Sequence, residues 1–132
     1  WQDITEGLPS RFGFVLGLQS KDPDTLFVLP EDDVLGKDVG GGKRYVTDVK
    51  FRVYRSRNGG RDWEPLTRSL PQQGAYLRVL REGMATDSLD DCGISVGTTT
   101  GQLFYSRDNG DNWELMMEHL PPILAVECGV TV

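Results

Sequence analysis

The chain has 132 residues, a length that suits one domain. Its 20 Asp and Glu outnumber 14 Lys and Arg, for a formal net charge of −6. That disfavours a nucleic-acid partner, because displacing counterions from phosphate needs a basic surface. No apolar run approaches the ~20 residues of a membrane span, so a membrane is not an expected partner either.

In chain order, the apolar runs are short. Residues 14–18 and 25–29 read as strands, the second introduced by the turn Asp22-Pro23-Asp24. Residues 51–55 alternate apolar and basic, as a half-buried strand does, and 63–66 follow the turn Asn58-Gly59-Gly60. The order recurs as residues 76–80, 93–97, 102–105 and 113–116, and 124–128 restart it. No segment keeps a 3.6-residue period for ten residues without interruption.

The chain also repeats itself. Ser56-Arg57-Asn58-Gly59-Gly60-Arg61-Asp62-Trp63-Glu64 aligns without a gap on Ser106-Arg107-Asp108-Asn109-Gly110-Asp111-Asn112-Trp113-Glu114, 50 residues later. Leu70-Pro71 and Leu120-Pro121 stand seven positions after each Trp, and Leu8-Pro9 stands at the same spacing after Trp1. Four short strands in some 50 residues predict an all-β fold of propeller blades. Because the first residue is Trp1, inside a repeat, the chain is expected to be a piece of a longer one.

Ser106-Arg107-Asp108-Asn109-Gly110-Asp111-Asn112-Trp113 resembles the Asp-box, Ser-x-Asp-x-Gly-x-x-Trp, of BNR-repeat β-propellers, including bacterial sialidase-like and glycosyl-hydrolase BNR proteins. The earlier copy departs from it with Asn58 at the Asp position. The resemblance covers nearly the whole chain and looks like the C-terminal end of such a protein. It implies a propeller fragment of four-stranded antiparallel blades, about two and a half of them. Residues 1–9 would be the outer strand of a truncated blade, 10–71 a blade with an insertion at 31–50, 72–121 a second blade, and 122–132 the inner strand of the next. The motif residues Ser56, Asn58, Gly60, Trp63, Ser106, Asp108, Gly110 and Trp113 then have a structural role. Glycine allows positive φ, the short polar side chains bond the turn's own backbone, and each indole packs between sheets.

Catalytic and metal chemistry find little support. His119 is the sole histidine, no Gly-x-Ser-x-Gly elbow is present, and Asp87-Ser88-Leu89-Asp90-Asp91 lacks the oxygen spacing of a calcium loop. Gly40-Gly41-Gly42-Lys43 fails the phosphate-loop spacing. The sialidases' catalytic Asp and Tyr/Glu pair have no counterpart here, so no catalytic residue, metal or cofactor is expected. Cys92 and Cys128 are expected to be free thiols, with Cys128 on the inner strand of the next blade; a cytoplasmic location is slightly favoured.

In a four-stranded meander the connections alternate between two ends. The Asp-box turns should share an end with Asp22-Pro23 and residues 87–91. The other end should gather the blade-to-blade links, the insertion 31–50 and Thr98-Thr99-Thr100. It carries Arg11, Phe12, Arg44, Tyr45 and Tyr76, guanidinium and aromatic groups suited to a ligand. The expected function is non-catalytic binding or scaffolding of a protein or glycan, with the remaining blades as partners. The alternative is a sialidase-like glycoside hydrolase whose catalytic residues lie in other blades.

Overall fold

The computed structural model describes residues 1–32 and 44–131. The centre of the insertion, with its triple glycine and Lys43, lies outside them. Among the described residues, eight strands form two four-stranded antiparallel sheets in simple meander order. The first holds β1 (Phe12–Leu18), β2 (Leu26–Glu31), β3 (Val53–Ser56) and β4 (Glu64–Leu66). The second holds β5 (Met84–Thr86), β6 (Ile94–Gly97), β7 (Leu103–Ser106) and β8 (Glu114–Met117). Between β2 and β3 the described part of the insertion adds a 3-10 turn, Thr47–Val49.

The sheets bury their facing sides in one core. Val15, Phe27, Leu29, Phe51 and Val53 meet Met84, Cys92, Ile94, Val96, Phe104 and Trp113 there, all of them buried. The Phe51 and Phe104 rings stand edge to face with centroids 5.2 Å apart, an arrangement that the aromatic quadrupole favours. The inner strands meet where Thr86 Oγ1 donates to the Leu18 carbonyl at 2.7 Å. Toward the rim, Arg55 of β3 is 4% exposed and crosses to the other sheet. Its Nε reaches Glu64 at 2.7 Å, while Nη1 donates to the Asn109 carbonyl at 2.7 Å and meets Asp111 at 2.8 Å.

Three expected strands are absent. Residues 76–80 are extended but lie over loops: Val46 N–H donates to the Leu77 carbonyl, Thr99 N–H to that of Arg78, and Ala75 N–H to that of Val49. Leu77 and Val79 are buried and Tyr76 is exposed, so the alternation read from the sequence is real. Its partners are connections of both sheets rather than one ladder, and the second sheet begins at Met84 instead. Residues 122–131 behave likewise, with Ile123 N–H bonded to the Thr98 carbonyl and a single parallel bridge between Glu82 and Ala125. Residues 1–9 also form no strand; Ile4 is tied to the first sheet by its carbonyl, which accepts the Trp63 indole N–H at 2.8 Å.

The three Leu-Pro tails share a feature that their residue types conceal. Gly7, Ser69 and His119, each just before the Leu, all have positive φ, at 90°, 66° and 62°. The two side-chain-bearing residues accept a left-handed conformation that costs roughly 1–2 kcal/mol.

The buried guanidinium predicts an asymmetry between two ion pairs. Arg55→Ala should lower stability by about 1.5–3 kcal/mol in urea unfolding, the usual worth of hydrogen bonds to charged groups. Arg107→Ala, which breaks a pair with Glu114 in which both side chains are more than half exposed, should leave the midpoint unchanged.

Candidate binding end and the opposite turns

The β3–β4 and β7–β8 turns are built alike from one buried serine each. Ser56 Oγ accepts the Gly60 N–H at 2.8 Å and Ser106 Oγ the Gly110 N–H at 2.9 Å. Each serine donates to the next motif side chain, Asn58 Oδ1 at 3.1 Å or Asp108 Oδ1 at 2.9 Å. Those oxygens accept the backbone N–H four residues on, from Asp62 and Asn112.

The departure at Asn58 is compensated. Asn58 Nδ2 donates to Asp62 Oδ2 at 2.7 Å, and Asn112 Nδ2 donates to Asp108 Oδ2 at 2.7 Å. The amide and the carboxylate have exchanged places, leaving the same ring of hydrogen bonds. Burial pushes the Asp108 carboxyl up, but the bonds from Asn112 and Ser106 outweigh it and hold the group below the ordinary carboxylate value.

The indoles differ more than expected. Trp113 is 5% exposed and belongs to the core shared by both sheets, while Trp63 is half-buried, its indole N–H on the Ile4 carbonyl. Among the described residues Trp113 Nε1 is buried with no acceptor.

These turns share an end with the loop at Asp22–Asp24, since Gly59 N–H donates to the Asp24 carbonyl, and with the loop at 87–91, since Asn109 N–H donates to that of Cys92. β2 runs from this end, where Leu26 pairs with Ser56, to the far end, where Glu31 pairs with Phe12.

Four of the five ligand candidates make contacts there in two pairs. The Arg44 guanidinium lies 4.1 Å from the Phe12 ring centroid. Tyr45 and Tyr76 meet edge to face with centroids 5.4 Å apart. Arg11 is largely exposed and lies 3.8 Å from Asp3. Beneath lies a pair that the sequence reading missed: Glu31, fully buried, is held by Arg78 through Nε at 3.2 Å and Nη2 at 3.1 Å. A charged residue ending the apolar strand β2 was the available clue.

Both cysteines are free. Burial pushes the Cys92 thiol up to about 11. Cys128 lies in no strand among the described residues. It lies beside Ser95 of β6, whose hydrogen bond partly offsets the rise that burial imposes. Among the described residues no group of His, Cys, Asp and Glu could hold a metal ion, and no helix is long and apolar enough to cross a membrane.

No protein-family model matches the chain, and no curated protein matches it in sequence. Solved structures do match in fold. The GH74 enzyme of Niastella koreensis superposes with a TM-score of 0.56 at 19% identity, over 84% of this chain and 15% of that one. YCF48 from Cyanidioschyzon merolae does so with a TM-score of 0.53 at 20% identity, over 89% of this chain and 28% of that one. Both are β-propellers. The fold is a β-propeller, and each sheet is a blade. The chain spans under a third of the length of either neighbour.

The exchanged amide and carboxylate predict a charge effect. Asn58→Asp sets two carboxylates against each other and should cost about 0.5–1 kcal/mol at pH 7. Mutual repulsion raises the folded-state pKa of one of them, so the deficit should shrink as pH falls toward 4 and that carboxyl takes up a proton. Adding Asp62→Asn should restore stability at pH 7, measured by urea unfolding. The thiols predict that a disulfide reagent at pH 8 labels Cys128 in the folded protein, more slowly than an unhindered thiol because its pKa is raised, and Cys92 only on unfolding, two per chain in denaturant.

Proposed function

We propose that this chain is part of an Asp-box (BNR) repeat propeller that binds a protein or glycan without catalysis, through the end opposite the Ser–Gly turns. The observation that carries this reading is the paired aromatic contacts at that end. Phe12 from β1 meets Arg44, and Tyr45 from the β2–β3 connection meets Tyr76 from the blade-to-blade link. Three chain segments, distant in sequence, thus deliver rings and a guanidinium to one rim on a rigid scaffold, a common arrangement for ligand contacts. Further blades, on the same longer chain or from further copies, are its proposed partners. The outermost strand β8 supports this, with Leu115, Met116 and Met117 all exposed. A glycoside hydrolase would need free carboxylates flanking a sugar. The buried carboxylate at this end, Glu31, is instead committed to Arg78.

A glycan array probed with the full chain tests this. Bound glycans should be lost from a combined Arg11→Ala/Arg44→Ala/Tyr76→Ala variant, which should melt as the parent does, and kept by Arg61→Ala at the opposite end. Retention by the triple variant, or release of sugar from the array, would contradict it.

A further inference from the structure

A second feature of the loop end lies toward its outer rim. A cleft of about 420 Å³ opens there, lined by Pro71, Gly74 and Tyr76 of the link and by Thr100, Gln102, Glu118 and His119 of the second blade. Its size falls within the roughly 300–1,000 Å³ of small-molecule sites.

The backbone sets each wall. Gly74 has φ of 60°, and Tyr76 N–H bonds the Gly74 carbonyl at 2.9 Å. That turn buries Ala75 and Leu77 and leaves Tyr76 65% exposed, its ring braced edge-on by Tyr45. Across the cleft, Thr98 Oγ1 accepts the Gln102 N–H at 3.1 Å, and Thr100 Oγ1 donates to Gln102 Oε1 at 3.2 Å. Gln102 Oε1 thereby accepts one hydrogen bond, which orients the side chain. Its amide NH₂ has no hydrogen-bond partner among the described residues. At the lip, His119 is held in its left-handed conformation with Nε2 3.6 Å from Glu118 Oε1.

The lining therefore combines a braced, exposed aromatic face with an oriented amide donor, hydroxyls, an imidazole and one carboxylate. Among the described residues it contains no Lys or Arg, the usual means of holding phosphate or carboxylate. An apolar ligand would leave the Gln102 amide and the Tyr76 hydroxyl unpaired.

We propose that this cleft binds a neutral saccharide chain, stacked on Tyr76 and hydrogen-bonded by Gln102 and His119. The inference rests on the reading of the loop end as the binding end and assigns a ligand class to one part of it.

Titration of the full chain with cellohexaose, xylohexaose and maltohexaose, followed by amide NMR and calorimetry, tests it, with 3′-sialyllactose as the acidic comparison. One neutral hexasaccharide should shift the resonances of Tyr76, Gln102 and His119. Tyr76→Ala should weaken that binding about tenfold, as loss of an aromatic contact does, whereas Tyr76→Phe, which keeps the ring, should stay within about threefold. Gln102→Ala should weaken it about fivefold, and Arg57→Ala at the far end should not change it. The proposal is overturned if no neutral hexasaccharide shifts these resonances, or if Tyr76→Ala binds as the parent does. Binding of 3′-sialyllactose that depends on Arg11 and Arg44 but not on Tyr76 would keep the binding end and discard this cleft. Failure of all four probes, together with an empty glycan array, would discard the glycan reading of the end as a whole.

Discussion

Both blades depend on one local constraint: a serine hydroxyl that draws the N–H of a glycine four residues on into its turn. The glycine, at φ of 87° in Gly60 and 88° in Gly110, is thereby pressed against the preceding repeat. A Cβ on Gly60 would stand 2.8 Å from Ile4, and one on Gly110 2.4 Å from Leu66. Both are closer than side chains approach, so only glycine lets the preceding segment dock this tightly. The turn is thus the surface on which the previous repeat sits, and the indole three residues later closes the same contact. Arg55 reinforces it by bonding the second turn's own carbonyl and carboxylate.

This division of labour explains why the two ends of the blades differ. At the turn end, side-chain oxygens and amides are spent on backbone donors that a tight turn leaves without ladder partners. At the other end the β2–β3 connection and the link from β4 to β5 are longer, while the β6–β7 connection is shorter. They bond one another through the backbone, as Val46 with Leu77 and Thr99 with Arg78, and that frees several side chains to face outward. The buried Glu31–Arg78 pair lies under this surface and ties the end of β2 to the link.

The repeat was legible because Ser, Gly and Trp recur at the same three positions in both copies. The meander and the assignment of each loop to one end followed from it, as did the opposition of Phe12, Arg44 and Tyr45 to Asn58 and Asp108. Other features were hidden for physical reasons. An extended segment with one buried face, such as residues 76–80, has the same alternation whether its backbone pairs with a strand or with loops. The exchange of Asn58 and Asp62 for Asp108 and Asn112 conserves a hydrogen-bond ring, not residue identity. Gly7, Ser69 and His119 share a backbone angle, not a side chain. Contacts such as Gln102 with Thr98 and Thr100, which shape the outer cleft, involve residue types too common to mark a site.

A double-mutant cycle between Leu66 and Gly110 tests the docking role of the turn most directly. Gly110→Ala should destabilise the protein by about 2–4 kcal/mol, combining the left-handed conformation with the overpacking against Leu66. In a Leu66→Ala background the conformational part should remain and the overpacking part should vanish, so the cost should fall by about 1–3 kcal/mol. Costs that add within about 0.5 kcal/mol would mean that the glycine serves only its own turn, and that the contact between repeats is held elsewhere.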